Sequence, residues 1–382
     1  MADSKISELT ELTAVQTGDL LAIVDDPSGT PVTKKITVDT LSTLFNTNSM
    51  ARQAIINGNF DVWQRGVTFT TPNDDTYGPD RWNFLVDGNG AWTFSRSLVD
   101  SDTCPNSTYE LKAVNVTANK QCGIVQILES INSMKLSNKY LTISFRARTT
   151  TGKVISNLRT TLLSWEGTAD TVTSDVISSW AGGGTVPTWA TNWAQFDATS
   201  PTLMALTTDS QKFSFTVGLG PQGFNNLALV VWVDDTTITS GDEFYITEVQ
   251  LCAGDVALPF MPKSFEEELR ACQRYYEKSF PYNIAPADNA TVLGSIVNVN
   301  AVTGNYNFCG FVKYSVQKRI AVSPTLYNPA ATDANKIRSS AGTNHPASIT
   351  SVSDSSFGVY INNSDTSATN IINTNWTADA EL

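Results

Sequence analysis

Apolar and polar residues alternate through much of the middle of the chain. Residues 140–147 and 212–218 carry an apolar side chain at every second position, as a strand with one buried face does. Residues 227–233 are continuously apolar, which is typical of a central strand, and residues 243–251 are a further strand candidate. Turn-forming residues separate these runs. The pattern over residues 54–262 predicts a jelly-roll β-sandwich made of two sheets.

The first 45 residues predict a small unit built on a strand, a turn and a returning strand. The turn is indicated by residues 25–29, in which Pro27 fixes φ and Gly29 permits a positive φ. A unit of this size cannot build a strong core alone. We therefore expect residues 1–45 to dock onto a partner through their apolar side chains. These docking candidates are Ile6, Leu9, Leu12, Leu20, Leu21, Ile23 and Val24.

The remaining segments are a linker, a helix and a second β region. Residues 46–53 are polar and predict a linker, whereas Ser264 and Glu267 form a capping box that begins a helix within residues 263–281. The helix either packs on the sandwich or runs along a trimer axis. Its apolar stripe comprises Phe265, Leu269, Cys272 and Tyr276. Strand-like runs between polar stretches in residues 282–382 predict a smaller β domain, so the predicted fold class is all-β.

Composition narrows the classes of function. Charged residues make up only 16% of the chain and the net charge is -12, so an acidic surface would repel the phosphates of a nucleic acid. The N-terminal residues lack the basic and apolar regions of a signal peptide. No run approaches the roughly 18 apolar residues of a membrane-spanning helix. We therefore expect a protein made in a cytoplasm, without nucleic-acid binding or membrane insertion.

Histidine and cysteine usage gives little material for catalysis or metal binding. His345 is the single histidine, and we expect it on a loop because Pro346 follows it in a Ser-, Thr- and Asn-rich stretch. A site with several histidine ligands is excluded. The five cysteines have no C-x-x-C spacing, so we expect buried thiols rather than a zinc site or a disulfide framework. We predict no metal and no cofactor.

Adjacent carboxylates are the remaining candidates for catalysis. Cleavage of a polysaccharide needs two carboxylates at a defined separation. Asp74-Asp75 and Asp234-Asp235 are adjacent pairs, but neighbouring acids in loops are usually solvated. We predict no catalytic residues.

Tryptophans are the candidates for glycan binding without cleavage. Sugars bind to flat aromatic faces that have polar neighbours. Three tryptophans surround a Gly-rich loop, and a fourth precedes it in the chain. The set comprises Trp165, Trp180, Trp189 and Trp193. The alternative is that these rings pack the sandwich or a subunit interface.

Several motifs resemble segments of phage proteins. Residues 5–12 followed by residues 18–25 resemble the N-terminal segment of phage tail-fibre and other virion structural proteins, where it commonly joins the fibre to the particle. Residues 56–66 and 77–82 resemble the opening of the carbohydrate-binding-module-like jelly roll in those proteins.

The end of the sandwich region carries the same resemblance. Residues 249–260 and 265–276 resemble the closing strand and trailing helix of that jelly roll, with Cys252 where the usual pattern has Glu. Within the opening motif, we expect Trp63 and Trp82 to be buried. The nearby Arg65 and Arg81 are expected to pair with carboxylates or backbone carbonyls; Asp61 and Asp80 are the acids nearby in sequence.

The resemblance implies a structural component of a phage particle, a fibre or spike located in the virion and made in the host cytoplasm. Residues 1–45 would join other virion proteins, and the β domains would project toward host surface polysaccharide or another receptor. Phage fibres are generally homotrimers, so the same is expected here. Two alternatives remain: an architectural head fibre, collar or decoration protein without receptor binding, and a polysaccharide depolymerase.

Overall fold

The structure is a computed structural model in which strands dominate. Strands contain 43% of the residues and helices 6%, which confirms the all-β prediction. The chain divides into two compact units, residues 1–52 and residues 53–382. The structure describes residues 20–25, 32–37, 52–99, 104–152, 155–172, 175–196, 203–220, 223–300, 306–333, 335–339, 342–362 and 370–382.

The described part of the first unit is an antiparallel hairpin. Strand β1 (Leu20–Asp25) pairs with β2 (Val32–Thr37), as the predicted strand and returning strand require, whereas residues 26–29 of the predicted turn lie outside the described residues. Leu20 and Leu21 are 55% and 43% exposed. Of the other docking candidates, Ile23 and Val24 lie in β1. Ile6, Leu9 and Leu12 lie outside the described residues.

The second unit contains the predicted sandwich. One sheet has six strands in the order β15 (Gln211–Gly218), β9 (Tyr140–Arg148), β17 (Glu243–Ala253), β7 (Tyr109–Asn115), β6 (Trp92–Leu98) and β3 (Thr68–Phe69). The other has the order β13 (Trp193–Gln195), β10 (Asn157–Trp165), β16 (Asn226–Val233), β8 (Cys122–Leu128), β5 (Asn83–Val86) and β4 (Thr76–Tyr77), with β14 (Leu203–Ala205) also pairing with β10. A small hairpin joins β11 (Ile177–Ser179) to β12 (Thr188–Trp189).

Aromatic rings fill the space between the two sheets. Phe84 and Phe94 stack with centroids 3.9 Å apart, one from each sheet. Trp63 and Trp82 are 1% and 0% exposed, as predicted, and the indole N–H of Trp82 donates to the carbonyl of Asn57 at 3.0 Å. Satisfying that donor lets the ring be buried without the cost of an unpaired polar group.

The described helices are short. Helix α1 spans Ser130–Ser133 and continues into a 3₁₀ turn at Met134–Leu136. Helix α2 spans Phe265–Gln273 and begins with the predicted capping box, since the Glu267 amide donates to the Ser264 hydroxyl at 3.3 Å. Among the described residues, no helix is long and apolar enough to cross a membrane.

Helix α2 packs within the second unit. Its Glu268 carboxylate accepts a hydrogen bond from the amide of Asn57, which belongs to the opening motif of the sandwich. Cys272 is fully buried, whereas Phe265 is 47% exposed. Tyr276 is not in the helix, contrary to the predicted stripe, because the chain leaves the helix at Gln273 and pairs with the last strand. The helix therefore contacts the sandwich, which favours the first of the two predicted arrangements.

The C-terminal region forms an eight-stranded sheet. Its order is β18 (Tyr276–Lys278), β25 (Asn370–Asp379), β22 (Lys336–Ser339), β23 (Asn344–Thr350), β24 (Ser356–Asn362) and β20 (Tyr306–Lys313), while β19 (Ile296–Asn300) and β21 (Thr325–Tyr327) also pair with β25. Its core contains Tyr314, Phe357 and Trp376, whose rings contact one another.

His345 lies in strand β23 and is 6% exposed, so the prediction of a loop is wrong. The strand pairs with β22 up to Pro346 and with β24 from Ala347 onward. Proline therefore stands where β23 passes from one neighbour to the other, a position at which its missing N–H costs little.

The last residues of the chain return to the sandwich. Arg81 forms an ion pair with Glu381, and the two side chains are 2% and 4% exposed. Arg65 contacts Asp379 at 3.1 Å and Glu381 at 3.4 Å. The two arginines of the opening motif thus pair with carboxylates about 300 positions away in the sequence, not with the nearby Asp61.

Candidate functional site

The four tryptophans nominated for glycan binding lie on the outer face of the seven-stranded sheet. Trp165 and Trp193 are 7% and 6% exposed, with ring centroids 5.2 Å apart. They belong to a buried cluster that includes Trp232 and Val230 of β16. Trp165 and Trp193 therefore lack free faces for a ligand, which corrects the expectation for these two rings.

Trp180 and Trp189 pack against the same cluster but remain partly exposed. Trp189 meets Trp232 edge to face at 5.7 Å, and its indole nitrogen lies 3.3 Å from the Gln195 side-chain oxygen. The described residues between β10 and β13, 166–172 and 175–192, thus cover the outer face of the sheet, and this explains why every residue of β16 is buried. A glycan role for Trp180 and Trp189 stays a prediction.

A groove lies beside this cover, at the edge of the sandwich where β13 and β10 approach the end of β15. It consists of two adjoining hollows of about 270 Å³ and 320 Å³ that share Gly218 and Gly220. Polar and aromatic side chains of the first hollow are Ser164, Glu166, Gln195, Phe196 and Phe224. Those of the second are Asn138, Lys139 and Tyr140.

Tyr140 is the most exposed aromatic side chain of the groove, at 64%. It begins β9 and pairs with Gly218, the last residue of β15. A Cβ atom at Gly218 would lie 3.2 Å from Cε1 and 3.5 Å from Cδ1 of the tyrosine ring. Because glycine has no Cβ, the ring can rest against the neighbouring strand and still present its surface to solvent.

Two phenylalanines support the other hollow. The rings of Phe196 and Phe224 meet edge to face at 5.3 Å. Phe224 is 2% exposed, whereas Phe196 is half-buried and lines the hollow with Gln195. Gln195 also contacts Trp189, so the cover and the groove share this side chain.

The groove has an exposed carboxylate in one hollow and an exposed ammonium group in the other. Glu166 follows β10 and is exposed, and its amide donates to Asn192 O at 2.9 Å, which fixes the backbone at this point. Lys139 is exposed in the other hollow, and its Nζ donates to Lys135 O at 2.7 Å. Aromatic surfaces beside hydroxyl, amide and carboxylate groups suit a polar, uncharged ligand with apolar faces.

Sequence patterns did not single out these residues. Tyr140 and Gly218 were parts of predicted strands, and their pairing depends on a register between segments more than 70 residues apart. The one sequence signal for Tyr140 was that it is an aromatic residue at an outward-facing position of an amphipathic strand. No sequence pattern marked Glu166 or Phe196 as part of a site.

Asp234 and Asp235 are buried, at 3% and 9% exposure, and are not solvated as predicted. Asp234 forms an ion pair with Arg159 at 2.7 Å. Asp235 accepts hydrogen bonds from the amides of Ser156 and Asn157 at 2.9 Å and 3.0 Å, and burial raises its pKa despite these bonds. Asp235 thus holds the backbone at the start of β10, and Asp234 pairs with a side chain of the same strand.

Asp74 and Asp75 are half-buried and also differ from the solvated prediction. Asp74 accepts a hydrogen bond from the Val86 amide at 2.6 Å, and burial raises its pKa. Burial, with the neighbouring charges of Asp74 and Asp175, raises the pKa of Asp75 to about 7. Within the described part of the chain, no group of three or more His, Cys, Asp or Glu residues could hold a metal ion.

The raised pKa of Asp75 predicts a pH-dependent stability. The folded state binds this proton more tightly than the unfolded state, so the contribution of Asp75 is favourable at acidic pH and is lost as the pH rises toward 7. Asp75→Asn should therefore raise the midpoint of thermal unfolding relative to wild type at pH 8, and the difference should shrink at pH 4.5. Asp209→Asn removes the same charge from an exposed position. An equal gain from both variants at pH 8 would refute the assignment.

Comparisons with known proteins give structural likenesses alone. No family model and no curated protein matches the sequence. The enzymatically active domain of tailspike protein 4 from bacteriophage CBA120 is 8% identical at a TM-score of 0.31, over 53% of this chain and 21% of that one. A xylan-binding domain from Paenibacillus barcinonensis is 14% identical at a TM-score of 0.29, over 50% of this chain and 95% of that one. A carbohydrate-binding module of the β-sandwich superfamily is 13% identical at a TM-score of 0.31, over 61% of this chain and 72% of that one. These likenesses assign no family to the chain.

Proposed function

We propose that this protein is a structural component of a phage particle, a fibre or spike, that binds host-surface glycans through the groove. One observation carries the glycan part of the proposal: the exposed ring of Tyr140 lies beside a hollow that contains Glu166 and Gln195. A sugar ring has apolar C–H faces and a rim of hydroxyl groups. Tyr140 offers a surface for such a face, and the carboxylate and amide offer hydrogen-bond partners for the rim.

The virion part of the proposal rests on the sequence resemblance, and two structural features support it. The hairpin of the first unit exposes Leu20 and Leu21, which are apolar surface available to a partner. Residues 53–382 form a compact unit of their own. In this proposal, residues 1–45 attach the protein to other virion proteins and the second unit projects outward.

Deletion of residues 1–45 is expected to separate attachment from folding. The truncated protein should remain soluble and keep its thermal unfolding transition, because the compact second unit is retained. It should no longer be incorporated into particles, as measured by copy number in purified virions. Incorporation at the normal copy number would show that attachment lies elsewhere.

The proposed assembly is a homotrimer. Light scattering on the purified full-length chain should give three times the mass of 41.4 kDa. A stable monomer would contradict the trimer and favour a monomeric decoration protein.

An array of bacterial surface glycans tests the glycan part. The full chain should bind at least one glycan class, and binding should occur without release of reducing sugar. Failure to bind any glycan would favour the architectural alternative. Release of reducing sugar would favour the depolymerase instead.

A further inference from the structure

We infer that the groove takes a linear glycan of at least two sugar units and that the unit beside Phe196 is uncharged. This inference rests on the proposed glycan-binding function and specifies its ligand. The two hollows, of about 270 Å³ and 320 Å³, adjoin at Gly218 and Gly220. Each lies near the lower limit for a small-molecule site, so a ligand that fills the groove must extend through both.

An aromatic ring lies in each hollow. Tyr140 lines one and Phe196 lines the other, with the shared glycines between them. A single sugar can contact one of these rings, whereas a chain of two or more units can contact both. Binding should therefore strengthen with chain length until both hollows are occupied and should then level off.

Charge determines which sugar unit fits beside Phe196. Of the described residues that line the hollow beside Phe196, Glu166 alone is charged. Its oxygens can accept hydrogen bonds from sugar hydroxyls, but a uronic acid in the same place would bring two carboxylates together. Lys139 lies in the other hollow, where its ammonium group donates to Lys135 O. A carboxylate on the sugar is therefore disfavoured in the hollow beside Phe196, whereas the positive charge of Lys139 would accept one in the other hollow.

The glycine beneath the tyrosine ring gives a sharp variant. Gly218→Val keeps Tyr140 in the chain but places side-chain atoms where the ring now rests, since even a Cβ would lie 3.2 Å from Cε1. The φ angle of Gly218 is not among the positive values, so the strand can accept valine. Loss of glycan binding in this variant would show that the position of the Tyr140 ring matters, because the tyrosine itself is still present. Leu98→Ala is the matched control, because Leu98 is 70% exposed near the opposite edge of the same sheet.

The experiment is a calorimetric titration of the full chain with β-1,4-linked glucose, xylose and galactose oligomers and α-1,4-linked glucose oligomers, each of one to six units. For the series that binds most tightly, affinity should rise at least about tenfold from one unit to the plateau length. Tyr140→Ala and Gly218→Val should each weaken binding by about tenfold, and Leu98→Ala should leave it unchanged. Equal affinity for one and six units would overturn the inference.

Oligogalacturonates of the same lengths test the charge rule. Glu166→Gln should strengthen their binding by about tenfold at low salt and should not strengthen binding of the neutral series. An equal effect of Glu166→Gln on both series would overturn the rule. If sugars bind but neither Tyr140→Ala nor Gly218→Val weakens them, the groove is wrong while the proposed glycan binding stands. If no sugar binds here or on the array, the proposed function itself fails.

Discussion

Glu381→Ala is expected to lower the free energy of unfolding by about 3–5 kcal/mol. The carboxylate of Glu381 is 4% exposed and pairs with Arg81, which is 2% exposed. Removing the acid would leave a guanidinium group buried without its partner, and the desolvation penalty of that charge would no longer be offset. Urea denaturation followed by intrinsic tryptophan fluorescence would measure the loss.

A neighbouring acid on the same segment is the matched control. Asp379 also contacts an arginine, at 3.1 Å, but its side chain is 52% exposed. Asp379→Ala should therefore cost no more than about 1 kcal/mol. The double variant Arg81→Met with Glu381→Leu removes both charges and should recover most of the stability lost in Glu381→Ala. Equal losses of unfolding free energy from Glu381→Ala and Asp379→Ala would show that burial of the Arg81–Glu381 pair does not determine the cost.

Trp232→Ala is the second large effect, with an expected loss of about 3–5 kcal/mol. The Trp232 side chain is fully buried between the seven-stranded sheet and the cover formed by residues 166–172 and 175–192. Its ring meets Trp189 at 5.7 Å, so alanine would leave a cavity beneath the cover. The same urea denaturation applies.

Trp180→Ala provides the comparison within that cluster. Trp180 is only partly buried at the margin of the cover, so its truncation should cost clearly less than that of Trp232. If the two variants lose the same stability, the cover does not pack as described. A Trp180→Ala variant that loses glycan binding while Tyr140→Ala keeps it would move the binding site to the tryptophans.

Local patterns predicted the elements that depend on nearby residues. The capping box at Ser264, the pairing of β1 with β2 and the burial of Trp63 and Trp82 follow from capping and from alternation of apolar and polar residues. These features need no knowledge of distant segments, which is why the sequence is sufficient for them.

Features that join distant segments were not predictable in this way. Arg81 pairs with Glu381, which lies 300 positions later in the sequence. The Tyr140 ring can lie against β15 because its partner there, 78 positions later, is Gly218. The tryptophan-rich segment left two interpretations open, glycan binding and packing against the sandwich. It packs on the sheet and covers the apolar outer face of β16. Periodicity shows that a strand has an apolar face, but it does not show which segment will cover that face.

The most direct test of glycan binding in the groove is a crystal structure of the full chain with its tightest-binding oligosaccharide. We expect a sugar ring within about 4 Å of the Tyr140 ring, a second unit beside Phe196, and a hydroxyl group donating to the Glu166 carboxylate. A sugar bound on Trp180 and Trp189, or anywhere outside the groove, would contradict this account.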